Sequence, residues 1–157
     1  MDEQIITNEQ MNNITIFNIG KEVRKALLAS EELSREVTSK TVIKNTPVAV
    51  KDETAGMLSP KVFPLIAKEN TTYPFIVYQK SNVFESNKNK DSYNTNITID
   101  VIVFTASYDD MCRISELAYD AIKKYFTGVA SNVSLVGDSE NFADDCWFQV
   151  MTFQFDF

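Results

Sequence analysis

Asn96-Ile97-Thr98-Ile99-Asp100-Val101-Ile102-Val103-Phe104-Thr105 sets Ile97, Ile99, Val101 and Val103 on one side of a strand and Thr98, Asp100, Ile102 and Phe104 on the other. Successive strand residues point to opposite faces, so the first half of this strand is half-exposed and the second half is covered on both sides. A helix has to supply that cover, and one follows directly. Met111, Ile114, Leu117, Ala118, Ala121, Ile122, Tyr125 and Phe126 recur at helical steps and form one apolar stripe. Ser107 with Asp110 makes a capping pair at its start, the carboxylate suits the positive end of the helix dipole, and Gly128 stops the helix.

Upstream, Ile19, Val23, Ala26, Leu27 and Leu33 describe an earlier amphipathic helix over about 16–32. Val42-Ile43 is a short β-prone piece. The stretch from Asn45 to Pro64 holds Pro47, Gly56, Pro60 and Pro64 and cannot be one regular element, so 48–62 reads as either a contact arm or a plain surface loop. Phe63 to Ala67 reads as a strand, and Tyr73 to Lys80 as a firmer one, with Pro74 at its start or on an edge. Glu85 to Asn94 then forms the long charged tip of a hairpin. Downstream, Val133 to Val136 is a short strand, Gly137 to Asn141 a turn, and a last strand alternates Trp147, Gln149, Met151, Phe153, Phe155 and Phe157 against the residues between them. The chain is expected to end inside the sheet. The order of elements predicts an α+β domain over 16–157: an antiparallel sheet of about four strands with two main helices packed on one face, behind a flexible arm at 1–15.

At 157 residues, 44% apolar and 24% charged, the chain has the size and composition of one ordinary globular domain. Fifteen basic against twenty-two acidic residues give a charge of −7, which disfavours direct nucleic-acid readout and anionic membranes and favours neutral or basic protein surfaces. No signal peptide or bilayer-length apolar run is present, so a cytoplasmic location is expected. Cys112 and Cys146 form no C-x-x-C unit and read as reduced, semi-buried thiols rather than a disulfide.

There is no histidine, and with four glycines and no phosphate-loop pattern, nucleotide binding and histidine-based catalysis have no raw material. The acidic pairs Asp109-Asp110 and Asp144-Asp145 do not chelate alone, because neighbouring carboxylates diverge on a strand or helix. The expectation is therefore no enzyme, no catalytic residue, no metal and no cofactor, with a metal-assisted hydrolase using Asp109, Asp144 or Asp145 as the weakest rival. Phe153, Phe155, Phe157, Tyr73, Phe75 and Tyr78 read as core filling. Phe84 and Tyr93 sit in the polar hairpin and read either as partner anchors or as ordinary surface aromatics. Candidate protein-interface residues are Phe84, Glu85, Lys88, Lys90, Asp91 and Tyr93 in the hairpin, with Met57 and Leu58 in the loop.

The series Tyr73-Pro-Phe-Ile-Val-Tyr-Gln, a polar hairpin, Ile99-Asp-Val-Ile-Val-Phe-Thr-Ala-Ser-Tyr-Asp, the helix to Phe126 and the closing Cys146-Trp-Phe-Gln-Val-Met-Thr-Phe-Gln-Phe-Asp-Phe resembles the tail-completion, or tail-terminator, family of long-tailed bacteriophages. The resemblance covers about 19–157, lies in the order of elements rather than in one motif, and departs from the family in its longer 45–64 segment and acidic start. It implies a virion structural protein that forms a ring, commonly hexameric, at the head-proximal end of the tail tube. There it would end tube growth and help join head to tail. Its partners would be itself, the tail tube protein and head-tail connector proteins. It would be located in the host bacterial cytoplasm during assembly and then in the virion tail. The other reading of the residues is a small acidic monomeric binding module or inhibitor encoded on a mobile element, motivated by the −7 charge.

Overall fold

The computed structural model describes residues 14–38, 40–43, 46–49, 59–89, 92–127 and 133–156. The fold is α+β. Helices α1 (Ile19–Ala29), α2 (Glu31–Val37) and α3 (Tyr108–Tyr125) accompany strands β1 (Lys40–Ile43), β2 (Thr46–Ala49), β3 (Val62–Pro64), β4 (Phe75–Asn89), β5 (Ser92–Thr105), β6 (Val133–Ala143) and β7 (Cys146–Asp156). β1 and β2 form a small antiparallel sheet of their own, and the main sheet has five strands in the order β3-β4-β5-β7-β6. Two expectations are corrected here. The sheet has five strands, not about four, and it is mixed, because β3 runs parallel to β4 with Val62 beside Ile76. β3 is only three residues long, too short for its pairing partner to be read from an alternation. It stops where Pro64, which has no amide hydrogen, precedes Leu65 at a φ of 65°.

The expected first helix is two helices. Ser30 is extended, and its hydroxyl accepts a hydrogen bond from the Leu33 amide at 3.3 Å, with Glu31 and Glu32 in the first turn of α2. Capping chemistry thus interrupts an apolar stripe that periodicity alone would carry through. The start also lies later than expected. Thr15 and Asn18 exchange hydrogen bonds across a turn, the Thr15 amide to Asn18 Oδ1 at 2.6 Å and the Asn18 amide to Thr15 Oγ1 at 3.2 Å, and α1 begins at Ile19. Ile14 and Ile16 pack against the core; residues 1–13 of the expected arm lie outside the described residues.

α3 starts as expected, with Ser107 Oγ accepting from the Asp110 amide at 3.2 Å. Gly128, its expected stop, lies outside the described residues, and the helix is capped at Phe126. α1 and α3 pack on one face of the sheet, and α2 packs against both of them. There Val23, Leu27, Leu33 and Ile114 meet Ile97, Ile99, Val101 and Val103 of β5 and Phe153 and Phe155 of β7 in one core, each almost wholly buried. Phe126 meets Phe155 edge-on, centroids 4.9 Å apart at 71°, the geometry that ring quadrupoles favour.

Two expected turns are strand instead. The polar stretch from Glu85 continues the β4–β5 ladder as far as Asn87 beside Tyr93 and Asn89 beside Ser92. A two-stranded ribbon pairs through its backbone and tolerates polar side chains on both faces. Likewise Gly137 to Asn141 lies inside β6, which passes a bulge between Leu135 and Gly137 and runs on to Ala143. The turn is Asp144-Asp145, both residues left-handed at φ 53° and 58°, the conformation of a tight hairpin connection. Asp145→Gly relieves the left-handed strain at one position and is expected to stabilise the fold by about 0.5 kcal/mol, read as a raised thermal midpoint.

α1 and α3 are joined by a hydrogen bond from the Tyr125 hydroxyl to Glu22 Oε2 at 2.9 Å. Burial first, and the Glu22 carboxylate second, push the Tyr125 hydroxyl well above the usual tyrosine range. A phenol whose folded pKa is raised contributes stability that is complete below about pH 10, its unfolded value, and is lost as pH climbs through the folded one. Tyr125→Phe is expected to cost about 1.5 kcal/mol at neutral pH and to flatten the alkaline loss. Urea unfolding in steps from pH 8 to pH 11 checks both. Lys61 works in the opposite sense just below pH 10.5, because burial lowers its pKa and the folded state sheds its proton first.

Candidate interaction surfaces

The strand residues that point away from the helices form rows across the sheet. Register aligns Phe75, Phe104, Phe148 and Asn141 across β4, β5, β7 and β6. The rings are stacked in sequence: Tyr73 on Phe75 at 5.6 Å, Phe75 on Phe104 at 4.7 Å and Phe104 on Phe148 at 5.5 Å. The next row is Phe63, Val77, Ile102 and Val150. Beyond it the face turns polar at Gln79, Asp100 and Thr152, where Thr152 donates to Asp100 Oδ1 at 2.7 Å.

Ile102 and Phe104 were expected to lie beneath a helix. They are instead half-buried among their row neighbours on the helix-free face. Phe75 and Tyr73 belong to that face too and not to the core, with Tyr73 42% exposed, whereas Tyr78, Phe153 and Phe155 are core residues as expected. Phe157 lies outside the described residues.

The β4–β5 hairpin outruns the sheet. Among the described residues β7 pairs with β5 from Asn96 to Thr105, and the part of β5 before Asn96 pairs with β4. Phe84 is exposed at 58% and sits opposite Asn96, on the same side as the aromatic rows; Glu85, also exposed, faces the other way beside Thr95. Lys88 falls at the irregularity between Asn87 and Asn89, and Tyr93 pairs with Asn87. Lys90, Asp91, Met57 and Leu58 lie outside the described residues. Phe84 and Glu85 therefore share one ribbon without forming one face. The aromatic row was missed as a surface, although phenylalanines at the polar parity of two strands, Phe104 and Phe148, were a signal for it.

Asp110 of the first acidic pair has a structural partner. Asp110 is held below the usual carboxylate range by Arg113, whose guanidinium also pairs with Glu36, and so ties α3 to α2. Asp144 and Asp145 form the β6–β7 turn. Among the described residues no group of three or more acidic or cysteine side chains could hold a metal ion. Cys146 is buried and Cys112 exposed on α3, so Cys112 is not the semi-buried thiol expected; the two form no disulfide.

On the helix side, where β6 extends past α3, Tyr108 and Phe142 flank Trp147 at 5.4 and 4.7 Å. The Tyr108 hydroxyl donates to Glu140 Oε1 at 3.1 Å and Oε2 at 3.0 Å, and Glu140 chiefly, with Cys112, pushes its pKa up to about 12. Beside this cluster a shallow groove of about 380 Å³ runs between α3 and β6.

The fold defines a class: an α+β protein with helices on one face of a mixed sheet and an aromatic row on the other. Compared with known proteins, the chain matches no family model and no curated sequence.

Proposed function

We propose that this is a structural protein of a long-tailed bacteriophage virion, assembling as a ring, a hexamer, at the head-proximal end of the tail tube to end its growth and help join the head. The observation that carries the reading is the stacked row Tyr73, Phe75, Phe104 and Phe148 on the helix-free face, continued by Val77, Ile102 and Val150. A contiguous apolar face of this kind marks a surface that another protein covers. The projecting hairpin and the two edges of the described sheet supply contacts on different sides of the protomer, as a head-to-tail ring requires.

Light scattering coupled to size exclusion, over a concentration series and at two salt levels, tests the proposal. A ring-sized species, or a concentration-dependent climb towards one, supports it. A strict monomer that also ignores its tail tube protein sinks it.

A further inference from the structure

β6 is the last strand of the sheet order, paired with β7 on one side and with no described strand on the other. Its helix-facing side is largely uncovered, with Leu135, Asp138, Glu140 and Phe142 all exposed. In the groove of about 380 Å³ left between α3 and β6, Glu116 of α3 and Asp138 and Glu140 of β6 gather three carboxylates. Among the described residues, Asp138 accepts from the Gln149 amide at 3.1 Å and Glu140 from the Tyr108 hydroxyl, both neutral donors. None of the ion pairs among the described residues involves any of the three. Ser115, which also lines the groove, is 4% exposed, and its Oγ has no hydrogen-bond partner among the described residues. A buried hydroxyl without a partner costs free energy that an incoming donor recovers.

We propose that this groove docks an extended segment of another protein with lysine or arginine at alternate positions, which adds to the sheet along β6 and sets a basic side chain among Glu116, Asp138, Glu140 and the Ser115 hydroxyl. Alternate residues of an added strand point to one face, so every second side chain of the segment meets the groove. The methylene stem of a lysine or arginine packs on Leu135 and Met151, which line the same groove, while its charged head meets the carboxylates. A second β6 is a poor occupant, because two such edges side by side bring acidic residues against acidic residues. The groove lies on the opposite face of the sheet from the aromatic row, and the proposal does not rest on ring formation.

The test uses the whole chain and short synthetic peptides. One alternates threonine with lysine, a second carries glutamate for lysine, and a third is the lysine peptide with N-methylated backbone amides. Fluorescence anisotropy reads binding, and hydrogen exchange locates it. The lysine peptide is expected to bind at least about tenfold tighter than the other two, to weaken with salt, and to protect amides of Val133–Ala143. The isosteric pair Asp138→Asn and Glu140→Gln, at exposed positions, is expected to cost about tenfold in affinity with thermal stability kept. Ser115→Ala is expected to weaken binding while stability stays level or rises. Absent binding, equal binding of the acidic or methylated peptide, indifference to the double substitution, or protection along β4 would each overturn the proposal. Protection of β6 that grows with protein concentration and is lost when peptide is added would replace the foreign segment with a second copy, and would overturn it as well.

Discussion

Phe75→Lys is expected to leave a folded monomer under conditions in which the proposed ring would form from the parent chain. Phe75 is stacked between Tyr73 and Phe104 at 5.6 and 4.7 Å and is half-buried in the isolated protomer. A lysine stem can lie along the same row with its ammonium in water, so the protomer survives. An interface that covers the row would have to bury that charge without a partner. At a cost of roughly 3 kcal/mol, this weakens self-association by about a hundredfold. Light scattering gives the mass, and an unchanged far-ultraviolet circular dichroism spectrum establishes that the fold is intact. A ring that persists with lysine in place would remove the aromatic face from the interface.

Phe155→Ala is expected to produce the largest loss of stability among single truncations on β7. Phe155 is fully buried, pairs with Ile97 on one side and Val133 on the other, and packs edge-on against Phe126. Removing a buried phenyl ring deletes its transfer free energy and leaves a cavity, together about 3–5 kcal/mol. Domains of this size hold only about 5–15 kcal/mol in all. Urea unfolding should show the midpoint falling with the slope unchanged. Phe84→Ala, at a ring that is 58% exposed, is the matched control and should move stability by no more than about 0.5 kcal/mol.

The helix-facing half of this protein was legible because burial writes a period into the chain. Ile97, Ile99, Val101 and Val103 at every second residue, and Met111 to Tyr125 at helical steps, could be placed from the sequence, and all the β5 residues named are buried. What was not legible follows from forces that leave no period. Ser30 broke a helix by accepting one backbone hydrogen bond. The three residues of β3 were too few to show their parallel pairing. Polar residues from Glu85 to Asn94 and from Gly137 to Asn141 resembled turns, yet Glu85 to Asn89, Ser92 to Asn94 and Gly137 to Asn141 lie on ladders held by backbone.

The interaction surfaces fared worst, for a related reason. A row such as Phe75, Phe104 and Phe148 exists only once three strands are in register, and its members are far apart in the chain. Exposure of Phe84 could be read from its polar neighbours; the face shared by Tyr73 and Phe148 could not.

The sheet order carries a consequence for synthesis. β7, the last described strand to be made, lies between β5 and β6, and β5 lies between β4 and β7. While a ribosome is still producing α3 and β6, the nascent β4–β5 hairpin presents the whole β7-facing edge of β5 with no strand to receive it. Ile97, Ile99, Val101 and Val103 sit on that strand. An open hydrophobic edge is a template for misassociation between chains, so yield in a heterologous host should depend on how quickly the β6–β7 hairpin is released. Slowing translation across α3 would favour aggregates, and lower temperature or a chaperone that shields β5 would recover soluble protein.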